Sequence, residues 1–258
     1  MSPWRQKPLE TLALPSGREI LVEARGVAAR HRDLWILLHG LGGSRKAPLL
    51  RVILRRLREA AAVVLAPDLP GHGGSAGGIG EFSVESGLET LDALYAKWGV
   101  LSGRIFLLGF SAGGLAAAWW AARNPGKAAG LVLAAPALKL PQRLREGATK
   151  GALEAAAGTG LLETTLGGEP ARAGYRLATD DERFPPERLA RDLADPALIL
   201  HGREDRAMPW EDSLEFFRAA RGPVELCLLP GAGHGFSGME EDLFLRIRAF
   251  WKGIRRKG

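Results

Sequence analysis

Cysteine is nearly absent from this chain, with Cys227 standing alone among 258 residues. No intrachain disulfide can form, which excludes a disulfide-stapled secreted scaffold and fits a reducing compartment. The run Val224-Glu-Leu-Cys-Leu-Leu229 around it reads as a strand, so Cys227 is expected to be a buried thiol. Long apolar runs are missing too: Leu34–Leu38 and Ala60–Ala66 fall far short of the ~20 residues a membrane-spanning helix needs. Met1–Glu10 carries no apolar segment of the secretory kind. The expectation is a soluble cytoplasmic protein without a membrane partner. No residues have metal-ligand spacing, and neither a GxGxxG nor a P-loop occurs, so neither a metal nor a cofactor is expected.

Side-chain amides are scarce, with one Asn (Asn124) and two Gln, and only eight of the 35 basic residues are lysine. Thermophile proteins and products of GC-rich genomes share this pattern, and composition does not separate them. The formal charge is +6. Arg45, Lys46, Arg51, Arg55, Arg56 and Arg58 crowd one expected helix, and Arg255-Arg-Lys257 ends the chain. With no nucleic-acid-binding motif beside them, these read as a solvated helix face and a frayed tail, and no nucleic-acid partner is expected.

Glycine, by contrast, is abundant at 34 residues. Gly109-Phe-Ser-Ala-Gly113 lies between the apolar run 104–108 and the small-residue run Gly114–Trp120. Strand, sharp turn and helix with a serine at the corner is the pattern of a nucleophile elbow. Glycines flank it because a serine on so tight a turn leaves no room for neighbouring side chains. Gly73-Gly-Ser-Ala-Gly77 matches the same motif, yet it follows Pro70-Gly-His-Gly in a turn-rich stretch with no strand before it and no helix after it. Ser111 is therefore the nucleophile candidate and Ser75 a loop residue.

Period-two segments at Leu9–Leu14 and Arg18–Glu23, joined by Pro15-Ser-Gly17, predict an amino-terminal antiparallel hairpin. Short apolar runs at Leu34–Leu38, Ala62–Ala66, Ile105–Leu108, Leu131–Ala134, Ala197–Leu200 and Leu226–Leu229 suit buried parallel strands. Helical patterns at Lys46–Glu59, Val84–Lys97, Ala112–Arg123, Trp210–Ala220 and Glu240–Lys252 separate most of them. The architecture this implies is a single α/β domain: a mostly parallel sheet with that hairpin at its start and helices on both faces. Between Pro136 and Pro196 the alternation breaks, since αβ connections are about 2–6 residues long. Residues 138–195 are read as an inserted cap over the site, with helix-compatible stretches at Leu140–Glu146, Gly151–Ala157 and Glu187–Leu193. Residues 1–137 and 196–258 form the core.

A serine hydroxyl attacks only when a base takes its proton and a third group holds that base in the right tautomer. His234, in the glycine-rich loop Pro230–Phe236 after the last expected strand, is the candidate base. Asp205, in Leu198-Ile-Leu-His-Gly-Arg-Glu-Asp205 after the preceding strand, is the candidate acid, with Glu204 its competitor. An oxyanion needs two donors. The amides of Leu41, in His39-Gly-Leu-Gly-Gly43, and of Ala112, at a helix amino terminus, are expected to supply them. His39 reads as a brace for its loop.

These blocks, together with Pro67-Asp-Leu-Pro-Gly-His-Gly-Gly-Ser75, occur in an order that resembles the α/β-hydrolase family, in particular its serine esterase, monoacylglycerol-lipase-like and feruloyl-esterase-like branch. The resemblance spans nearly the whole chain outside the cap. It implies a cofactor-free serine hydrolase acting on small carboxylic esters and water, with Asp68 and His72 in structural roles. Ser111 at the elbow argues against the dehalogenases and epoxide hydrolases of the family, which carry Asp there. Carbon–carbon hydrolases, thioesterases and cofactor-free haloperoxidases share the triad and stay as alternatives, as does a non-enzymatic receptor on the same fold. The two cap aromatics, Tyr175 and Phe184, suggest short to medium acyl or aryl esters.

Overall fold

Strands in which every residue is apolar and buried must be covered on both faces, and this chain has them in series. A computed structural model of the protein describes residues 9–26 and 32–257; residues 1–8, on which the reading of the amino terminus depends, lie outside them. Strands β1 (Leu9–Ala13) and β2 (Glu19–Arg25) form the expected hairpin. Then follow β3 (Leu34–Leu38), α1 (Pro48–Glu59), β4 (Val63–Pro67), α2 (Val84–Trp98), β5 (Ile105–Phe110), α3 (Ala112–Arg123) and β6 (Gly130–Ala134). After residues 135–196 come β9 (Ala197–Gly202), α8 (Trp210–Ala219), β10 (Val224–Leu229) and α9 (Glu240–Lys257). Among the described residues these strands make one eight-stranded sheet in the order β1-β2-β4-β3-β5-β6-β9-β10, parallel from β4 onward.

The pleat divides each buried strand between two cores. Leu34, Ile36, Val63, Leu65, Ile105, Leu107, Leu131, Leu133 and Ile199 face the helices α2 and α3. Trp35, Leu37, Val64, Phe106, Leu108, Val132, Leu198 and Leu200 face α1 and α9. On α1 the buried residues Leu50, Ile53, Leu54 and Leu57 recur at helical spacing, which leaves its arginines outward. Arg55 and Arg56 pair with Glu59 and Glu241, so much of the basic face is internally matched. The carboxy-terminal arginines continue α9 to Lys257 instead of fraying, since Arg255 stacks on Trp251 and lies 3.6 Å from Asp33.

Residues 135–196 hold α4 (Leu140–Glu146), α5 (Lys150–Thr159), strands β7 (Leu161–Leu166) and β8 (Glu169–Gly174), α6 (Tyr175–Thr179) and α7 (Pro186–Asp192). The β7–β8 hairpin and α6 are absent from the sequence reading, which saw only helical stretches there. The hairpin turns through Gly167 and Gly168, both at positive φ (62 and 86), a two-residue loop that glycine makes easily. A Cβ on Gly167 would fall 2.1 Å from the Arg206 carbonyl, and one on Gly174 would fall 2.4 Å from the Gly80 carbonyl. The hairpin thus runs between the loop after β9 and the segment after β4. Asp180 accepts a 2.7 Å bond from the Val84 N–H at the start of α2, and Arg143 forks onto Asp212 of α8 at 2.7 and 3.1 Å.

Cys227 corrects another expectation. It is only half-buried, because β10 is the edge strand, and Arg246 Nη1 donates to its sulfur at 3.1 Å.

Candidate active site

β3 pairs with β4 on one side and with β5 on the other, so the sheet order switches there, and the carboxyl ends of β3 and β5 flank the crevice where open α/β sheets bind ligands. Ser111 sits there, between the end of β5 and the start of α3. Its backbone is held at φ 53 and ψ −119, a conformation that costs about 1–3 kcal/mol. Surrounding bonds enforce it. The Ser111 N–H donates to Ala134 O at 3.0 Å, and Ser111 O accepts from Gly114, Leu115 and Ala137 at 2.9, 3.3 and 3.1 Å. The motif glycines answer to close approach: a Cβ on Gly109 would lie 2.4 Å from Gly113 O, and one on Gly113 would lie 2.5 Å from His39 O.

That packing also brings the loop after β3 to the serine, since a Cβ on Gly40 would sit 2.9 Å from Ser111 Cβ. Two histidines fix this loop. His39 Nδ1 donates to Gly40 O at 2.8 Å while its Nε2 accepts from Leu69 N–H at 2.9 Å. His72 Nδ1 donates to Pro70 O at 2.9 Å while its Nε2 accepts from Gly42 N–H at 3.0 Å. Both patterns require a neutral ring, and burial favours one, taking His39 down to about 4 and His72 in the same direction. Within this frame the N–H groups of Leu41 and Ala112 have no hydrogen-bond partner among the described residues. Ala112 opens α3, where the helix dipole favours negative charge.

On the other side of the elbow, Asp205 follows β9. Its Oδ1 accepts from the Ala207 and Met208 N–H groups at 2.9 and 2.8 Å, and its Oδ2 accepts from His234 Nδ1 at 2.7 Å. Burial pushes this carboxyl up, but donors from His201, His234 and Met208 outweigh it and hold Asp205 well below the usual carboxylate range. Glu204 is exposed, and the contact with His234 belongs to Asp205. Arg203 and Glu204 donate backbone bonds to Leu229 and Ala232 at 3.0 and 2.9 Å, continuing the β9–β10 pairing into the two loops. The His234 side chain is 26% exposed, and its ring lies 5.0 Å from that of Phe110, the residue before Ser111. The structure therefore joins Asp205 to His234 and sets both beside the elbow. It does not close the last link: Ser111 Oγ has no hydrogen-bond partner among the described residues.

Ser75 has a different fate. Its hydroxyl donates to Asp68 O at 2.6 Å and accepts from Leu21 N–H at 2.9 Å, tying the turn to β2. Asp68 in turn accepts from the backbone of Arg45 and Gly74 at 2.7 Å each and pairs with the buried Arg45 guanidinium. Sequence reasoning missed the contact of His201 with Asp205, 3.3 Å away, and that of Ser213 with His201. The only signal was the presence of His201 in the same block as the acid. Among the described residues no group of His, Cys, Asp and Glu could hold a metal ion, and no helix is long and apolar enough to cross a membrane.

Residues 35–246 match the model of the alpha/beta hydrolase family, and the chain belongs to that family. Its fold is similar to that of Est1E from Butyrivibrio proteoclasticus, solved with ferulic acid bound, at TM-score 0.82 and 21% identity over 96% of this chain and 99% of that one. Mouse alpha/beta hydrolase domain-containing protein 10 superposes at TM-score 0.80 and 18% identity, covering 96% and 100%. The monoacylglycerol lipase of Paleococcus ferrophilus gives 0.71 and 23%, covering 88% and 96%. In sequence, the chain is 35% identical over 75 residues to the uncharacterized protein YfhR of Salmonella typhi, a match to 28% of this chain and only 25% of that protein.

Proposed function

We propose that this protein is a serine esterase that cleaves carboxylic esters with short to medium acyl or aryl groups. Ser111 attacks the ester carbonyl while His234 accepts its proton. The tetrahedral oxyanion is taken by the Leu41 and Ala112 N–H groups. His234 then protonates the departing alkoxide, leaving the acyl group on Ser111. A water deprotonated by His234 releases the acid and restores the serine. Asp205 holds the imidazole with its proton on Nδ1 and stabilises the imidazolium. The observation that carries this reading is the 2.7 Å Asp205–His234 contact set against Phe110, one residue from a strained serine flanked by two unpaired amides.

We read residues 138–195 as the cap. Its support is the path of the β7–β8 hairpin, whose ends meet the Asp205 loop and the segment after β4, on either side of the Ser111 crevice. Two similar folds, one solved with ferulic acid and one called a monoacylglycerol lipase, favour acyl and aryl esters as the substrate class. A cytoplasmic setting goes with the lone cysteine.

The test pairs labelling with turnover. A fluorophosphonate should modify Ser111, located by peptide mass spectrometry, and lose its target in Ser111→Ala. Hydrolysis would be measured across p-nitrophenyl esters, monoacylglycerols, aryl esters and acyl thioesters. Labelling without ester turnover but with thioester turnover would replace the esterase by a thioesterase, and an unlabelled Ser111 would sink both.

A further inference from the structure

We infer that His201 is a positioning residue for the acid: its Nε2–H shares the Asp205 oxygen that faces His234, and so sets how strongly that carboxylate holds the imidazolium. The inference rests on the proposed role of Asp205.

His201 is fully buried on β9, four residues before the acid. Its Nε2 lies 3.1 Å from Met208 O and 3.3 Å from Asp205 Oδ2. A carbonyl and a carboxylate can only accept, so the ring proton must be on Nε2. Nδ1 is hydrogen-bonded to the buried Ser213 hydroxyl of α8 at 2.7 Å. Asp205 Oδ2 consequently lies between two imidazoles, with His234 at 2.7 Å and His201 at 3.3 Å. Oδ1 is held by two backbone N–H groups, so the carboxylate cannot rotate away from this arrangement. The other charges around it are spent or outside. Arg203, Glu204 and Arg206 on the same loop are exposed, and Asp212 of α8 is engaged by Arg143 and Lys139.

Donation from His201 draws charge from Oδ2. Without it, the full carboxylate charge faces His234, the imidazolium form of His234 is better stabilised, and the acid limb of kcat/KM moves to higher pH. A shift of about half a unit to one unit is expected.

The experiment is the pH profile of kcat/KM for p-nitrophenyl acetate. His201→Leu should show the upward shift. His201→Gln, whose amide can reach the place of Nε2, should return the limb towards that of the parent. Ser213→Ala disturbs the same pocket but keeps the Nε2–H donor, so its limb should stay. If His201→Leu does not fold, the comparison of His201→Gln with the shorter His201→Asn decides, with only Asn shifting. An unmoved limb in folded His201→Leu, equal limbs for Gln and Asn, or an equal shift in Ser213→Ala would overturn the inference and leave packing as the role of His201. Asp205→Asn separates the two readings. If it retains full turnover, the acid assignment itself fails; if it is dead while His201 variants leave the limb in place, only this inference does.

Discussion

Replacing Asp205 by Asn removes one charge and almost no volume, yet the surroundings of this carboxylate give the change a specific result. Oδ1 faces the N–H groups of Ala207 and Met208, which can only donate. An asparagine must therefore point its carbonyl oxygen at them and its NH₂ where Oδ2 was. That NH₂ then meets two further donors, His234 Nδ1 at 2.7 Å and His201 Nε2 at 3.3 Å. His234 can avoid the clash only by moving its proton to Nε2, where it can no longer accept one from Ser111. The expected loss is on the order of ten thousandfold in kcat, about 5.4 kcal/mol of transition-state stabilisation. Folding should also weaken, by about 1–3 kcal/mol, through the lost charge-assisted bonds. The sign with pH is fixed by the direction of the shift. Because the folded Asp205 lies below the usual carboxylate range, its contribution is complete above the unfolded value and disappears as pH falls below it. The stability gap between parent and Asp205→Asn should accordingly be widest at neutral pH and close on acidification. The assays are ester turnover and urea denaturation at several pH values, with the exposed Glu204→Gln as the control expected to match the parent. Asp205→Asn activity within tenfold of the parent would refute the reasoning, and a larger loss in Glu204→Gln would transfer the role.

Ser111→Ala should lose about a millionfold in kcat with an unchanged melting temperature. Ser75→Ala should do the reverse, keeping kcat/KM but losing about 1–3 kcal/mol in denaturation because Leu21 N–H and Asp68 O lose their partner. Asp180, raised to about 6 by burial despite the Val84 N–H, keeps a proton on folding that the unfolded chain has released. The parent should thus lose about 1–2 kcal/mol relative to Asp180→Asn as pH rises from 4 to 7, discounted for solvent screening, and parallel stability curves would contradict this. Gly167→Ala and Gly168→Ala both place a side chain at positive φ, but only the first meets Arg206 O. Only Gly167→Ala should change the chain-length preference among p-nitrophenyl esters, and equal profiles would remove the hairpin tip from the specificity reading.

Strands β3, β4, β5, β6 and β9 were legible because each is a continuous apolar run, and α3 because its small residues begin directly after the elbow. The β7–β8 hairpin was not. Glu169-Pro-Ala-Arg-Ala-Gly174 alternates weakly and contains proline, and the hairpin's close neighbours, Arg206 at Gly167 and Gly80 at Gly174, come from distant parts of the chain that no local pattern reveals. Gly167-Gly168 was the available cue, a two-residue loop between six-residue segments. The five-residue helix α6 is too short for periodicity to show. Cys227 was misjudged because its run looks like the buried strands, and an edge position is a property of the whole sheet. The bond between His201 and Ser213 joins residues on different elements and needed the fold to appear.

The histidines make a separate argument for the site, independent of the motif. His39 and His72 spend both ring nitrogens on the backbone of the loops after β3 and β4. His201 spends both on Ser213, Met208 and Asp205. Each is buried, and the backbone partners of His39 and His72, which only donate or only accept, fix each of those two in one tautomer. His234 alone among the described histidines has a single nitrogen committed, Nδ1 to Asp205, and a partly exposed ring. Its Nε2 is therefore the one imidazole nitrogen in the described structure left to take a proton from a neighbour. The bracing histidines also bear on the choice of Ser111 over Ser75 as the proposed nucleophile. His39 and His72 hold the Leu41 loop beside the elbow serine, whereas the Ser75 hydroxyl is already consumed by β2 and Asp68. Two serines with the same flanking glycines are thus separated by what their hydroxyls are bonded to: the Ser75 hydroxyl has two partners, and that of Ser111 has none among the described residues.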